Sequence, residues 1–167
     1  LADYNSIVVV GGGKAGRRTG SELADILGAR ITAGVLNVYQ EQAREPISGN
    51  ITLFAANHPT PNEAGVEGAR RMGDLLQGAD SKTLVIALIS GGGSSLMALP
   101  VPGISMEDYV DIINLLLTVP ATIDEVNAVR KHLDPLKGGG MRKMAKDAGG
   151  FIVLIDDASV GVGDLHR

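Results

Sequence analysis

Glycine constrains this chain more than any other residue. Its 23 glycines do not spread as they would in a linker; they bunch at Gly11–Gly13, Gly91–Gly93 and Gly138–Gly140. Two of these clusters close an apolar run. Ser6-Ile7-Val8-Val9-Val10 precedes the first, and Leu84-Val85-Ile86-Ala87-Leu88-Ile89 precedes the second. Continuous runs of this length, ended by glycine, read as parallel strands buried on both faces. In open parallel sheets ligands collect at the carboxyl ends of the strands, which is where these glycines fall.

The remaining pattern alternates. Leu23, Ala24, Ile26 and Leu27 give residues 15–27 a helical period, and Gly28 stops it. Residues 31–38 and 51–55 are strand candidates. Asn62 is placed to cap a helix whose stripe is Val66, Ala69, Met72, Gly73 and Leu76. Residues 84–89 read as the central strand. Helices are expected over 105–117 and 123–133, the second opening on the capping box Thr122-x-x-Glu125. A glycine-rich turn and a short helix then lead to a last strand over 151–155. This order predicts an α/β fold: a Rossmann-like three-layer domain with a mostly parallel sheet. At 167 residues the chain makes one such domain, 1–167. Its first residue is Leu and its last strand runs into a short tail, so a fragment of something longer is expected.

Composition removes several function classes. The formal charge of −4 argues against a nucleic-acid partner, and aromatic residues at 3% supply little for base stacking. Without cysteine there is no disulfide framework, thiolate metal site or cysteine nucleophile, which suits a reducing cytoplasm. No apolar run approaches the roughly 20 residues that span a bilayer, and no signal peptide is recognised. The expectation is a cytoplasmic protein that handles a small molecule, with neither membrane nor nucleic acid as partner.

The glycine loops carry the chemistry. Gly11-Gly12-Gly13-Lys14-Ala15-Gly16 fits G-x-G-x-x-G between a strand and a helix, the dinucleotide fingerprint. Its usual companion, an acid at the end of the second strand, is missing: that strand ends Leu36-Asn37-Val38-Tyr39. Lys14 opposes the helix macrodipole, and an anion bound at the helix start would reverse that sign. The plain alternative is a lysine that snorkels to solvent. Ser90-Gly91-Gly92-Gly93-Ser94-Ser95 supplies converging amides and hydroxyls, an anion nest rather than a Walker loop. A tight turn would need only one of those glycines.

Further on, Asn127, Arg130 and Lys131 share one helix face beside the stripe Ile123, Val126, Val129 and Leu133, with Lys137 just beyond. A solvated basic helix end is the equal alternative. Asp156-Asp157 ends the last strand, and Asp157 with Asp164 offers carboxylates of the kind Mg²⁺ takes, or else a surface turn. His58, between Asn57 and Pro59 in a proline-stiffened loop, is either a positioned side chain or an incidental one.

Taken together, these segments resemble the N-terminal domain of the MOFRL-type glycerate 2-kinases, a family whose members are often labelled hydroxypyruvate reductases. The resemblance runs from Gly11 to about Asp157. It rests on Gly-Lys-Ala at 13–15, His-Pro-x-Pro-x-Glu at 58–63, Ile-Ser-Gly-Gly-Gly-Ser at 89–94, Ala-Thr-Ile-Asp-Glu-Val-Asn-Ala-Val-Arg-Lys-His-Leu at 121–133 and Lys-Gly-Gly at 137–139. It implies ATP-dependent phosphorylation of D-glycerate at the 2-hydroxyl, with Mg²⁺, in a cleft against a C-terminal domain. A leading helix and that C-terminal domain are absent from this sequence by the same comparison, and a homodimer is compatible with it.

On this resemblance Lys14 stabilises the transferring phosphoryl group or the substrate anion. Gly13 and the loop Ser90, Gly91, Gly92, Gly93 and Ser94 hold phosphate oxygens. Asn127, Arg130, Lys131, Lys137 and His58 complete the binding set, and Asp157 takes the hydroxyl proton or, with Asp164, the metal. The chain departs from the family at Val119-Pro120, at Asp134 where serine is usual, at Gly140 where arginine is usual, and along 156–164. Two rivals stand beside this reading: an NAD(P)-dependent hydroxypyruvate reductase, and a truncated binding module without catalysis.

Overall fold

A computed structural model describes residue 1 and residues 3–156 of the chain. Five strands, β1 (Ser6–Gly12), β2 (Ile31–Tyr39), β3 (Ile51–Ala56), β4 (Thr83–Ser90) and β5 (Gly150–Asp156), form one sheet in the order β3-β2-β1-β4-β5. Every pairing is parallel, so the expectation of a mostly parallel sheet is met in full. The order corrects one detail: β1 is the central strand, and β4 lies beside it.

Among the described residues six α-helices connect them: α1 (Gly16–Leu27), α2 (Glu63–Gln77), α3 (Gly93–Leu96), α4 (Met106–Thr118), α5 (Ile123–Leu133) and α6 (Gly140–Met144). Their starts follow the sequence chemistry. The Asn62 side chain accepts from the Gly65 amide, Ser105 does the same for Asp108, and Thr122 and Glu125 close a reciprocal capping box.

The apolar runs alternate as a sheet covered on both faces requires. Ile7, Val9, Leu84, Ile86 and Leu88 pack under α1 through Leu23, Ala24 and Leu27. Val8, Val10, Val85 and Ala87 face the other way, against Ala69, Met72 and Leu76 of α2 and Met141 and Met144 of α6. These are the three expected layers. Burying one such side chain contributes about 1.5–3 kcal/mol, which is why the inner strands bury few polar side chains, Asn37 of β2 and Thr83 at the start of β4. The outer edge differs. Along β5, Ile152, Val153, Leu154 and Ile155 are all exposed, Ile155 at 72%.

The order in which strands are added reverses at β1: β2 and β3 lie to one side, β4 and β5 to the other. The crevice between the carboxyl ends of β1 and β4 is therefore the topological switch point, the usual ligand position in such sheets. Both glycine loops named above open onto it.

Candidate functional site

The first glycine loop is built by packing. A methyl group on Gly11 would lie 2.0 Å from the Leu88 carbonyl oxygen, on Gly12 2.4 Å from that of Asn37, and on Gly13 2.2 Å from Ser90 Oγ. The loop needs glycine because neighbouring backbone occupies the side-chain positions. Its amides are engaged as well. Gly13 N donates to Asn37 O (3.1 Å), Lys14 N to Gly91 O (2.8 Å), Ala15 N to Ser90 Oγ (3.0 Å) and Gly16 N to Gly13 O (3.0 Å). The expected convergence of these amides with Lys14 on one phosphate is thus not what the start of α1 presents. Gly13, named as a binding residue, is buried and serves to let Ser90 approach.

Lys14 itself remains at the site. Its side chain is exposed, and its Cδ comes within 3.9 Å of where a Gly91 side chain would begin, so it lies over the second loop. His58 reaches that loop from the β3–α2 connection: its Cδ2 lies 3.2 Å from a methyl position on Gly92. Gly92 has φ +78°, a left-handed conformation that admits this contact only without a side chain. Tyr39, at the end of β2, meets the His58 ring edge to face with centroids 6.2 Å apart. Tyr39 was not legible beforehand, since a strand-end tyrosine carries no motif. Gln42 is another residue found only here: its Nε2 donates to Lys14 O at 2.9 Å.

One residue further, the second loop turns into the wall of a cavity of about 590 Å³. Gly93 and Ser94 form one side, Asn127, Arg130 and Lys131 of α5 another, and Lys137 with Arg142 of α6 a third. Ala87, Ile89, Phe151 and Val153 provide an apolar floor from β4 and β5. Against the four cations Arg130, Lys131, Lys137 and Arg142, the cavity lining contains one acid, Asp124. On a chain of net charge −4 positive charge is concentrated on this wall, and such a concentration attracts anions. Arg130 Nε is buried and finds no acceptor among the described residues. An unpartnered guanidinium N–H inside a cavity is a donor that a carboxylate or phosphate would satisfy. Of the helix stripe expected beside this face, Val126 is buried but Val129 is 40% exposed, because α5 packs by one edge only.

Lys137 has a partner in the fold. Asp134, fully buried, accepts from its Nζ and also from Leu99 N (2.9 Å), Leu136 N (3.0 Å) and Tyr109 Oη (3.3 Å). Burial holds the Lys137 ammonium below its usual pKa, and the Asp134 charge works against that shift. Burial, joined by the same carboxylate, pushes the Tyr109 hydroxyl far above the ordinary tyrosine range, so it stays protonated and donating. Neither Tyr109 nor this use of Asp134 was legible as a motif.

Two of the expected catalytic and metal-binding residues, Asp157 and Asp164, lie outside the described residues. Their neighbour Asp156 pairs with Arg18 at 3.4 Å. Among the described residues no group of three or more His, Asp or Glu side chains could hold a metal ion. Also among them, no helix is long and apolar enough to cross a membrane.

Comparison with known proteins shows the family and the fold. A family model described as "Domain of unknown function (DUF4147)" matches residues 1–161. The chain is 36% identical over 137 residues to the D-glycerate 2-kinase of Thermotoga maritima, covering 82% of this chain and 33% of that protein. It is 37% identical over 150 residues to a putative hydroxypyruvate reductase of Agrobacterium vitis, covering 90% and 38%. The crystal structure of the Thermotoga maritima glycerate kinase superposes with a TM-score of 0.83 at 32% identity, over 98% of this chain and 38% of that one. The chain spans about a third of the length of the curated relatives it matches.

Proposed function

The chain belongs to the DUF4147 family, the N-terminal domain of MOFRL-type glycerate 2-kinases, and on that footing we propose that it forms the anion-binding half of an ATP-dependent kinase that phosphorylates D-glycerate at its 2-hydroxyl. The observation that carries this reading is the cationic cavity beside the second glycine loop. Its volume of about 590 Å³ falls in the range of small-ligand sites. Phosphoryl transfer asks a protein mainly for positioning and neutralisation of charge, and this wall supplies both.

Placement supports the following roles. Arg130 offers its open N–H and a planar fork to a carboxylate or phosphate, and Lys131 adds a second charge. Gly92, Gly93 and Ser94 hold phosphate oxygens at the cavity lip. Lys14, over Gly91, neutralises the phosphoryl group in transit or the substrate anion, and His58 orders the far side of the same loop. Asp157, which follows β5 directly in sequence, is assigned the hydroxyl proton. The described residues give a resident Mg²⁺ no donor set, so the metal is read as arriving with the nucleotide's phosphates and no step is assigned to it. A cytoplasmic location goes with this substrate class.

The reductase reading has one point in its favour, the label on relatives such as that of Agrobacterium vitis. Against it, the glycine fingerprint packs on its own sheet and its amides are engaged. The test is a direct assay of the full-length protein with MgATP and D-glycerate, coupled through a dehydratase that consumes 2-phosphoglycerate. Lys14→Ala is expected to lower kcat by about 10²–10³, as for loss of one charge-stabilising donor. Reduction of hydroxypyruvate by NADH without phosphate transfer would replace this proposal with the reductase. Neither activity would leave a binding module.

A further inference from the structure

Lys137 stands in a setting that works against its own charge. Its side chain is 16% exposed. Arg130 and Lys131 of α5 and Arg142 of α6 share its cavity wall, and His132, Lys143 and Lys146 lie behind it. The acids and hydroxyls around this group are Asp124 and Ser94 of the cavity lining, Asp134, and Tyr109 of α4, which bonds to Asp134. Only Asp134 touches the ammonium. Its other contacts, the Leu99 and Leu136 amides and the Tyr109 hydroxyl, all donate to its oxygens. Lys137 Nζ is in turn fixed between Asp134 and the Met97 carbonyl, 3.3 Å away.

We propose that Asp134 is a positioning residue for the anion site: it keeps Lys137 charged and pinned at the cavity wall, so that the site binds anions independently of pH across the neutral range. This rests on the reading of the cavity as an anion site. A lysine that is buried among cations sheds its proton early unless a carboxylate compensates. The sign follows. Removing the Asp134 charge lowers the Lys137 pKa further, so its share of anion binding is present at low pH and lost as pH rises through that lowered value. The wild-type site keeps it to higher pH.

The experiment is calorimetric titration of the full-length protein with sulfate, whose charge is constant over this range, between about pH 6.5 and about pH 9. Wild-type affinity should change less than about twofold, whereas Asp134→Asn should lose roughly tenfold over the same interval. Adding Lys137→Arg to Asp134→Asn should flatten the profile again, because a guanidinium does not titrate there. A purely structural role for Asp134 would lower stability without this pH signature or its rescue. Should Asp134→Asn fail to fold, the ¹⁵Nζ resonance of Lys137 in the wild type decides. An ammonium signal at about pH 8 that shifts on adding sulfate supports the inference, and a neutral amine or an unresponsive signal overturns it. A flat profile in folded Asp134→Asn also overturns it. No sulfate binding by the wild type would sink the anion-site reading and this inference together. Binding with the expected profile but no kinase activity would sink only the kinase.

Discussion

Asn37 offers the sharpest test of how the site is held. It sits in β2 with no solvent exposure. Its Nδ2 donates to Gly65 O at 2.7 Å in the first turn of α2, and to Leu96 O at 2.6 Å, the last residue of α3. One amide thus ties the central sheet to the helix that ends the second glycine loop. In Asn37→Ala both bonds go. Each has a net worth of about 0.5–1.5 kcal/mol, and the Leu96 carbonyl, with no intrahelical partner, is left unpaired at a further 1–3 or so. The expected loss is about 2–6 kcal/mol, a large part of the roughly 5–15 that stabilises a domain. Urea denaturation should show it as a midpoint lowered by about 1–3 M.

Asn37→Asp discriminates further. The fingerprint reading would welcome an acid at the end of the second strand, where it would meet a ribose. The structure predicts the reverse, because an ionised carboxylate cannot donate and would face two carbonyl oxygens. Its folded-state pKa must rise, so the penalty is full above that raised pKa and fades as pH falls toward the unfolded carboxylate range. Asn37→Asp should therefore be less stable than Asn37→Ala at neutral pH and recover on acidification. If it matches the wild type, or gains NADH binding, the bonding described for Asn37 is wrong.

Two other substitutions probe separate links. Gly13→Ala places a methyl 2.2 Å from Ser90 Oγ at a backbone φ of +135°, so the variant should lose several kcal/mol of stability, about 3 or more, in the same urea assay whether or not ligand is present. Arg130→Lys keeps the charge but loses the planar fork and the buried Nε. Anion affinity should fall about tenfold with the melting temperature nearly unchanged, and an unaltered affinity would remove Arg130 from the site.

Much of the architecture was legible because local chemistry and tertiary need coincide. Apolar runs in β1 and β4 ended by glycine, caps at Asn62 and Thr122, and the stop at Gly28 all fall where the sequence puts them. Strand order was less legible. β4 is the most hydrophobic run, yet β1 takes the centre, because order is set by which way each crossover returns and not by apolar content. The G-x-G-x-x-G spacing was visible but its use was not. Glycine is demanded equally by an approaching pyrophosphate and by an approaching strand, and only coordinates identify the neighbour. For the candidate site, the basic residues of α5 were readable from helical spacing. The Tyr109–Asp134–Lys137 cluster was not, since its members come from different elements with no common period.

The bare edge of β5 sets a hazard for the living cell. Four consecutive aliphatic residues, 152–155, border a row of backbone groups that no neighbouring strand occupies among the described residues. During synthesis the sheet grows outward to this border, and until something lies against it the nascent domain is a template for strands of identical nascent chains on the same message. Translation speed and chaperone supply just beyond residue 156 would then govern yield more than the stability of the finished fold. Slowing elongation there should raise aggregation without changing a single native contact.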